Sequence, residues 1–167
     1  STALIGIGDG AEQLLEYPYG CTEQLTSRLV PLIPARTLGR EFNFPLPKDI
    51  DKVIDETLAK ILNRQRASGG FSYWEESRAE NTWLSAYVLF ALDLAAKDGR
   101  HVPSTAIDSA KSFVRRALAW QKEGAVDSVR RAFILDVLAT VGDGDPGYLT
   151  KLYEDRAKLP LSSKAFL

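Results

Sequence analysis

The 167-residue chain is poor in the residues from which reactive centres are usually assembled: it has one cysteine, one histidine and no methionine. A single cysteine excludes an internal disulfide framework and leaves one unpaired thiol to be explained. One cysteine, one histidine and scattered carboxylates make a poor donor set for zinc, so no metal and no cofactor are expected. No apolar run approaches the roughly 20 residues of a membrane span, and no direct membrane insertion is expected. Lys+Arg number 21 against Asp+Glu 22, a net charge of -1 with no basic stripe, which speaks against nucleic acid as a partner. No stretch alternates apolar and polar positions with β-branched residues, so a sheet is not expected. A start methionine and a secretory signal are both missing. The chain therefore reads as an excised segment, a fragment of a single domain over residues 1–167 with a leader at 1–9.

Helical periodicity fills the space that these absences leave. Gly10 to Tyr17 holds good helix formers and stops at Pro18, since the residue before a proline is pushed out of the helical region. Leu25, Leu29, Leu32 and Ile33 then mark an apolar helical face. Pro31 and Pro34 fall inside it, which predicts a helix to about Val30, a kink and a second short piece. Asp51 to Arg66 carries Ile54, Leu58, Ile61, Leu62 and Gln65 on one face, and Ala67-Ser68-Gly69-Gly70 ends it. An aromatic loop follows, Phe71-Ser72-Tyr73-Trp74, and Asn81 is placed to cap the next helix. That helix carries Leu84, Val88, Ala91, Leu92 and Ala95 and closes at Asp98-Gly99. Pro103-Ser104 opens a helix to Gly124, Val129 to Leu138 forms another closed by Gly142, and Asp145-Pro146 starts a last one to about Lys158. Ile61 to Gly69 resembles Ala117 to Gly124: each is a helix end with Gln65 or Gln121, a basic residue and a glycine turn. The reading is all-α, with a helical hairpin as the repeating unit of a ring or solenoid.

The lone thiol lies in Tyr17-Pro18-Tyr19-Gly20-Cys21-Thr22-Glu23-Gln24, where a turn gives way to a helix. A thiol in a first helical turn meets the positive end of the helix dipole and unpaired backbone N–H groups, which favour the reactive thiolate. Cys21 and Gln24 at i, i+3 share a helix face. With water excluded, the sulfur can displace ammonia from the Gln24 amide and leave an intramolecular thioester. Tyr17, Tyr19, Phe71, Tyr73, Trp74 and Trp83 are aromatics available to shield such a bond. On spacing alone the plainer reading is stronger: a free cysteine is most often a small buried hydrophobe.

Other chemistries fit less well. A cysteine hydrolase needs a base against the thiol, and His101 lies in a loop far along the chain. Asp49, Asp51 and Asp55, like Glu75, Glu76 and Glu80, read as solvated or capping carboxylates. Asp143 to Gly147 is a turn that lacks the remaining ligands of a calcium loop. Trp83, Tyr87 and Phe90 read as hairpin core.

The octapeptide from Tyr17 to Gln24 closely resembles the thioester signature of the alpha-2-macroglobulin and complement family, in which Gly-Cys-x-Glu-Gln supplies the two bonded side chains. Asn81-Thr82-Trp83-Leu84-Ser85-Ala86-Tyr87-Val88 is similar to a second family motif, and Gly69 to Trp74 resembles the bacterial members. The resemblance runs from about Gly10 to Val141. It implies an α/α-toroid of helical hairpins, a partial ring here, belonging to a larger endopeptidase inhibitor. Cys21 and Gln24 then form the thioester cross-link, Tyr19, Gly20 and Glu23 support it, and the acyl group passes to lysine amines of an attacking protease. The implied partners are target proteases and other domains of the parent chain, and the implied location is the periplasm or cell envelope. Some complement members use a histidine to pass the acyl group to hydroxyls. Gln121 to Asp136 contains none, so transfer to amines is expected. The alternative is a structural toroid that packs or docks without a functional thioester.

Overall fold

The computed structural model describes residues 20–43, 45–120 and 125–166. The expected leader at 1–9, the expected helix from Gly10 to Tyr17, Tyr17 and Tyr19 themselves, and Gln121 to Gly124 of the second repeat copy lie outside the described residues. Seven α-helices are described: α1 Thr22–Glu41, α2 Ile50–Asn63, α3 Thr82–Lys97, α4 Ser104–Trp120, α5 Ala125–Thr140, α6 Pro146–Glu154 and the short α7 Leu161–Lys164, with a 3-10 turn Arg156–Lys158 before α7. There is no strand among the described residues.

Sequential helices pack as hairpins, α1 on α2, α3 on α4 and α5 on α6, and α3 joins them by packing on α1, α4 and α5. The composition of α3 explains its central place. Leu84, Ala86, Val88, Leu89, Ala91, Leu92 and Ala95 are all inaccessible to solvent, and a helix that is apolar nearly all round is stable only when surrounded. Asn81 caps it as expected, its Oδ1 accepting from the Leu84 N–H at 2.9 Å. Asp145 caps α6 in the same way, accepting from the Gly147 and Tyr148 N–H groups at 3.1 Å.

The helix expected over Asp51 to Arg66 ends at Asn63, which leaves Gln65 beyond it, and two further elements depart more from the sequence expectation. The first helix does not break at Val30: α1 runs through Pro31 and Pro34 to Glu41. Each interior proline costs about 3 kcal/mol. Both lie on the exposed side of α1, while Leu25, Leu29, Leu32 and Ile33 opposite them are 0–4% exposed. Four such burials contribute roughly 1.5–3 kcal/mol each, which outweighs two prolines. The last long helix stops at Glu154 instead of about Lys158. Pro160 holds Leu159 in an extended conformation (φ -79°, ψ 144°), and the 3-10 turn before it delivers the Leu159 side chain into the core.

The turn after α2 is fixed against α4. Gln65 leaves the helix, and its Nε2 donates to the carbonyls of Gly69 at 3.1 Å and Ala106 at 2.8 Å. Gly69 has φ +91°, and a Cβ there would stand 2.1 Å from the Ser109 carbonyl oxygen. Only glycine satisfies both conditions.

Candidate functional site: a cysteine and a glutamine at one helix start

Cys21 is the N-cap of α1, extended at φ -64°, ψ 169°, and its carbonyl accepts the first helical bond from Leu25 at 3.0 Å. Gln24 is the third helical residue. Its Oε1 accepts from the Cys21 backbone N–H at 3.0 Å, and the Cys21 side chain is turned to the Gln24 backbone N–H. This is the reciprocal arrangement of a capping box, with Cys and Gln in place of the usual Ser/Thr and Glu. It folds the Gln24 carboxamide back over the cysteine. Cys21 is 8% exposed whereas Gln24 is exposed, with its Oε1 turned inward to the Cys21 N–H.

Gly20 makes room for that fold. A Cβ at position 20 would lie 3.1 Å from the Gln24 Cβ and 3.5 Å from Oε1. The third motif residue, Glu23, accepts from the Ser27 hydroxyl at 2.7 Å, and Ser27 shares a hydrogen bond with the Tyr87 hydroxyl at 3.3 Å. Glu23 is thereby tied to α3, the helix that carries the second sequence motif.

The turn is also gripped from the other hairpin element and the aromatic loop. The Thr22 N–H donates to the Tyr73 carbonyl at 2.8 Å. Arg64, just past α2 and only 15% exposed, donates through Nη1 to the Gly20 carbonyl at 3.0 Å and to the Thr22 hydroxyl at 3.4 Å. Its Nε pairs with Glu75 at 3.2 Å. Arg66 donates through Nη2 to Ser72 Oγ at 3.0 Å, to the Glu75 carbonyl at 2.9 Å, and to the Ser77 carbonyl. The loop from Phe71 to Ser77 is therefore held to the end of α2 and to the start of α1 at once.

The candidate aromatics divide into two groups. Phe71 is fully buried, its N–H donating to the Ser85 hydroxyl at 2.9 Å. Trp83 packs with Tyr87 and Phe133 at ring separations of 5.6 and 5.7 Å. Tyr73 and Trp74 are 38% and 54% exposed. Trp74 lines a cavity of about 410 Å³ beside the turn, together with Gly20, Leu25 and Arg64.

The carboxylate clusters are structural in a more specific way than expected. Asp51 pairs with Arg36, Arg40 and Arg100, and Asp55 with Arg100. Asp98, 9% exposed, pairs with Arg36 and Arg100. Burial opposes ionisation of Asp51, but hydrogen bonds from Arg100 and Arg36 outweigh it and hold the carboxyl below its ordinary range. Glu80 accepts from Ser68 at 2.8 Å. His101 is exposed in the loop between α3 and α4.

Arg64 and Ser27 are the site residues that sequence reasoning missed. Arg64 left one trace. When Gln65 is laid on Gln121, Arg64 falls on Trp120, so its charge is not part of the repeated pattern. Ser27 left none.

These features define a class: an all-helical hairpin domain that displays a Cys-x-x-Gln pair at the N-terminus of one helix. The family model described as the A-macroglobulin TED domain matches residues 2–140, and the chain belongs to that family. It is 32% identical over 111 residues to the alpha-2-macroglobulin of Escherichia coli strain K12, a match that covers 64% of this chain and 7% of the relative. The crystal structure of Salmonella alpha-2-macroglobulin reacted with methylamine superposes with a TM-score of 0.74 at 30% identity, over 92% of this chain and 11% of that one. Trypsin-activated Escherichia coli alpha-2-macroglobulin gives 0.72 at 28% identity, over 90% and 12%. The chain thus spans only a small part of the length of the relatives it matches.

Proposed function

We propose that this chain is the thioester-bearing domain of a longer alpha-2-macroglobulin-like endopeptidase inhibitor. Cys21 supplies the sulfur and Gln24 the acyl group. In forming the bond, Sγ attacks the Gln24 Cδ, the C–N bond breaks and ammonia leaves. In use, an amine nitrogen attacks the same carbon, the C–S bond breaks, and the amine is left as a substituted Gln24 amide beside a restored thiol. The acyl group is consumed, so the domain is a single-use covalent trap and not a catalyst.

The observation that carries this reading is the 3.0 Å contact from the Cys21 N–H to Gln24 Oε1, which holds the carboxamide over a buried cysteine. The relatives support it. One Salmonella homologue is described as reacted with methylamine, and an Escherichia coli homologue as activated by trypsin. By that likeness the amine is a lysine of an attacking protease, and the compartment is the periplasm or cell envelope. Among the described residues, Trp74 is the aromatic best placed to limit water at the turn, with Tyr73 beside it, and Phe71 and Trp83 support the loop and helix beneath. Gln24 is the exposed member of the pair, so the amine approaches from its side, and other domains of the parent cover it until activation. No histidine is supplied by the segment from Gln121 to Asp136, so the acyl group goes directly to amines.

Intact mass tests the reading. The thioester protein weighs one ammonia less than its sequence, and its thiol resists alkylation until methylamine opens the bond. Full sequence mass with Cys21 freely alkylated assigns the domain to packing or docking alone. Glycerol labelling as fast as methylamine labelling would refute the amine preference.

A further inference from the structure

Arg64 and Gln24 lie on opposite sides of one peptide unit, the Gly20–Cys21 amide. Its oxygen accepts from Arg64 Nη1 at 3.0 Å, and its N–H donates to Gln24 Oε1 at 3.0 Å. In a trans peptide the C=O and N–H point in opposite directions, so the two bonds form one line: guanidinium, peptide, carboxamide. We infer that the Cys21 backbone N–H is the oxyanion donor for chemistry at the Gln24 acyl carbon, and that Arg64 is the positioning residue that orients and polarises this donor. The inference rests on the thioester reading above.

The charge balance makes Oε1 the atom that matters. When the Cys21 sulfur attacks Cδ, the carbonyl electron pair moves to Oε1, and it returns as the C–N bond breaks and the amide nitrogen leaves as ammonia with the thiol proton. When an amine attacks the thioester, the pair moves to Oε1 again. It returns as the C–S bond breaks, and the amine's surplus proton ends on sulfur as the thiol. The oxyanion therefore appears at one place in both steps, 3.0 Å from the Cys21 N–H before any chemistry begins. Donors already aimed where charge develops lower the barrier without reorganisation.

A cation on the peptide oxygen draws electron density from the amide and strengthens its N–H as a donor, since hydrogen bonds in series polarise one another. Arg64 is suited to this. It is 15% exposed, and its planar fork is anchored at a second nitrogen by Glu75, so the guanidinium stays on the Gly20 carbonyl. Lys60 also lines the adjoining cavity, but the cation that contacts the Gly20 oxygen is Arg64.

The test uses the full-length protein that carries this domain, with wild type, R64Q, R64K and E75Q. Wild-type mass short of one ammonia, with methylamine-triggered thiol release, is required first. Its absence defeats the thioester reading itself, not this inference alone. Given it, R64Q is expected to melt at a lower temperature, having lost the Gly20, Thr22 and Glu75 contacts, and to release thiol about tenfold more slowly at a temperature where it is fully folded. That is less than the ~10²–10³ for a direct oxyanion donor, because Arg64 acts one peptide further away. The infrared stretch of the thioester carbonyl, isotope-edited with ¹³C glutamine, moves to higher wavenumber in R64Q, a change that a purely structural role does not produce. E75Q removes the charge that anchors Arg64 but leaves its Gly20 contact in place, and it is expected to slow thiol release by less than R64Q does. If R64Q does not fold, R64K takes its place, with a smaller slowing and a smaller shift. Wild-type rate and carbonyl stretch in the folded Arg64 variant, or a loss in E75Q equal to that in R64Q, overturns the inference.

Discussion

Gly20→Ala separates the stability of the turn from its chemistry. The added methyl would stand 3.1 Å from the Gln24 Cβ and 3.5 Å from Oε1, so Gln24 must give way by a few tenths of an ångström. It is exposed, and because the crowded atom is its Cβ, the shift is taken up by the first turn of α1. The backbone at Gly20 is outside the left-handed region, so alanine brings no φ strain there. Restricting the unfolded chain favours alanine by about 0.4–1 kcal/mol, which offsets much of the crowding. Net stability should stay within about 1 kcal/mol of wild type. The contact that gives way is the one that holds the carboxamide over Cys21, 3.0 Å from its N–H. A misplacement of 1 Å near reacting atoms costs about 10²-fold, so a few tenths should cost several-fold to tenfold. The assay follows methylamine-triggered thiol release colorimetrically in the full-length protein, with a melting curve of the same sample. An unchanged rate at an unchanged melting temperature would refute the steric argument. A loss of more than about 3 kcal/mol would show instead that Gln24 cannot move, against its observed exposure.

The remaining predictions concern the scaffold. Gly69→Ala puts a methyl 2.1 Å from the Ser109 carbonyl at φ +91°, and urea denaturation should show a loss of about 3 kcal/mol or more. Asn81→Ala removes the 2.9 Å cap to the Leu84 N–H and should lower the unfolding free energy by about 1 kcal/mol, read as a lower urea midpoint with an unchanged m-value. Asp51 has a folded-state pKa below its unfolded value of about 3.9, because Arg100 and Arg36 hydrogen-bond its ionised form against the penalty of burial. Its stabilising contribution is thus full above that unfolded value and is lost as pH falls through the folded one. Melting temperature should be insensitive to this group from neutral pH to about 5 and decline below about 4, with a shallower acid limb in Asp51→Asn. Equal acid limbs in the two proteins would remove the Arg36–Asp51–Arg100 cluster from the account.

What could be read from the sequence is what local physics encodes. The i, i+3 placement of Cys21 and Gln24, the Asn81 and Asp145 caps, and the apolar periods of α2 to α5 each depend on residues within a turn or two of one another. The features that escaped are those decided at long range. Proline's local cost predicts a break at Val30, but the burial of Leu29, Leu32 and Ile33 against other helices decides the outcome, and α1 stays whole. Arg64 reaches from the end of α2 to the carbonyl of Gly20, and a backbone carbonyl has no side chain by which a sequence could announce it as a partner. Asp51 and Asp55 looked like solvated carboxylates because their arginines come from two other elements, α1 and the loop after α3.

The long-range features that escaped are also those that make the pair usable. A Cys-x-x-Gln spacing at a helix start fixes two residues on one face but does not stop the start from fraying. Here that end is held at three points outside the helix: the Gly20 carbonyl and Thr22 hydroxyl by Arg64, the Thr22 N–H by Tyr73, and Glu23 through Ser27 by Tyr87. The far end of α1 is anchored by Arg36 and Arg40 on Asp51 and by Arg36 on Asp98. Reacting atoms have to be held to within about 0.5 Å by groups that are themselves locked. An unbroken α1 supplies that along its whole length, because movement of its N-terminus is opposed by the core contacts of Leu25, Leu29, Leu32 and Ile33. A helix broken at Val30 would leave the Cys–Gln pair on a piece of two turns, with half of those contacts. The continuity of α1 through two prolines is therefore part of the site, and its cost in helix propensity is met by the same burial that keeps the pair in register.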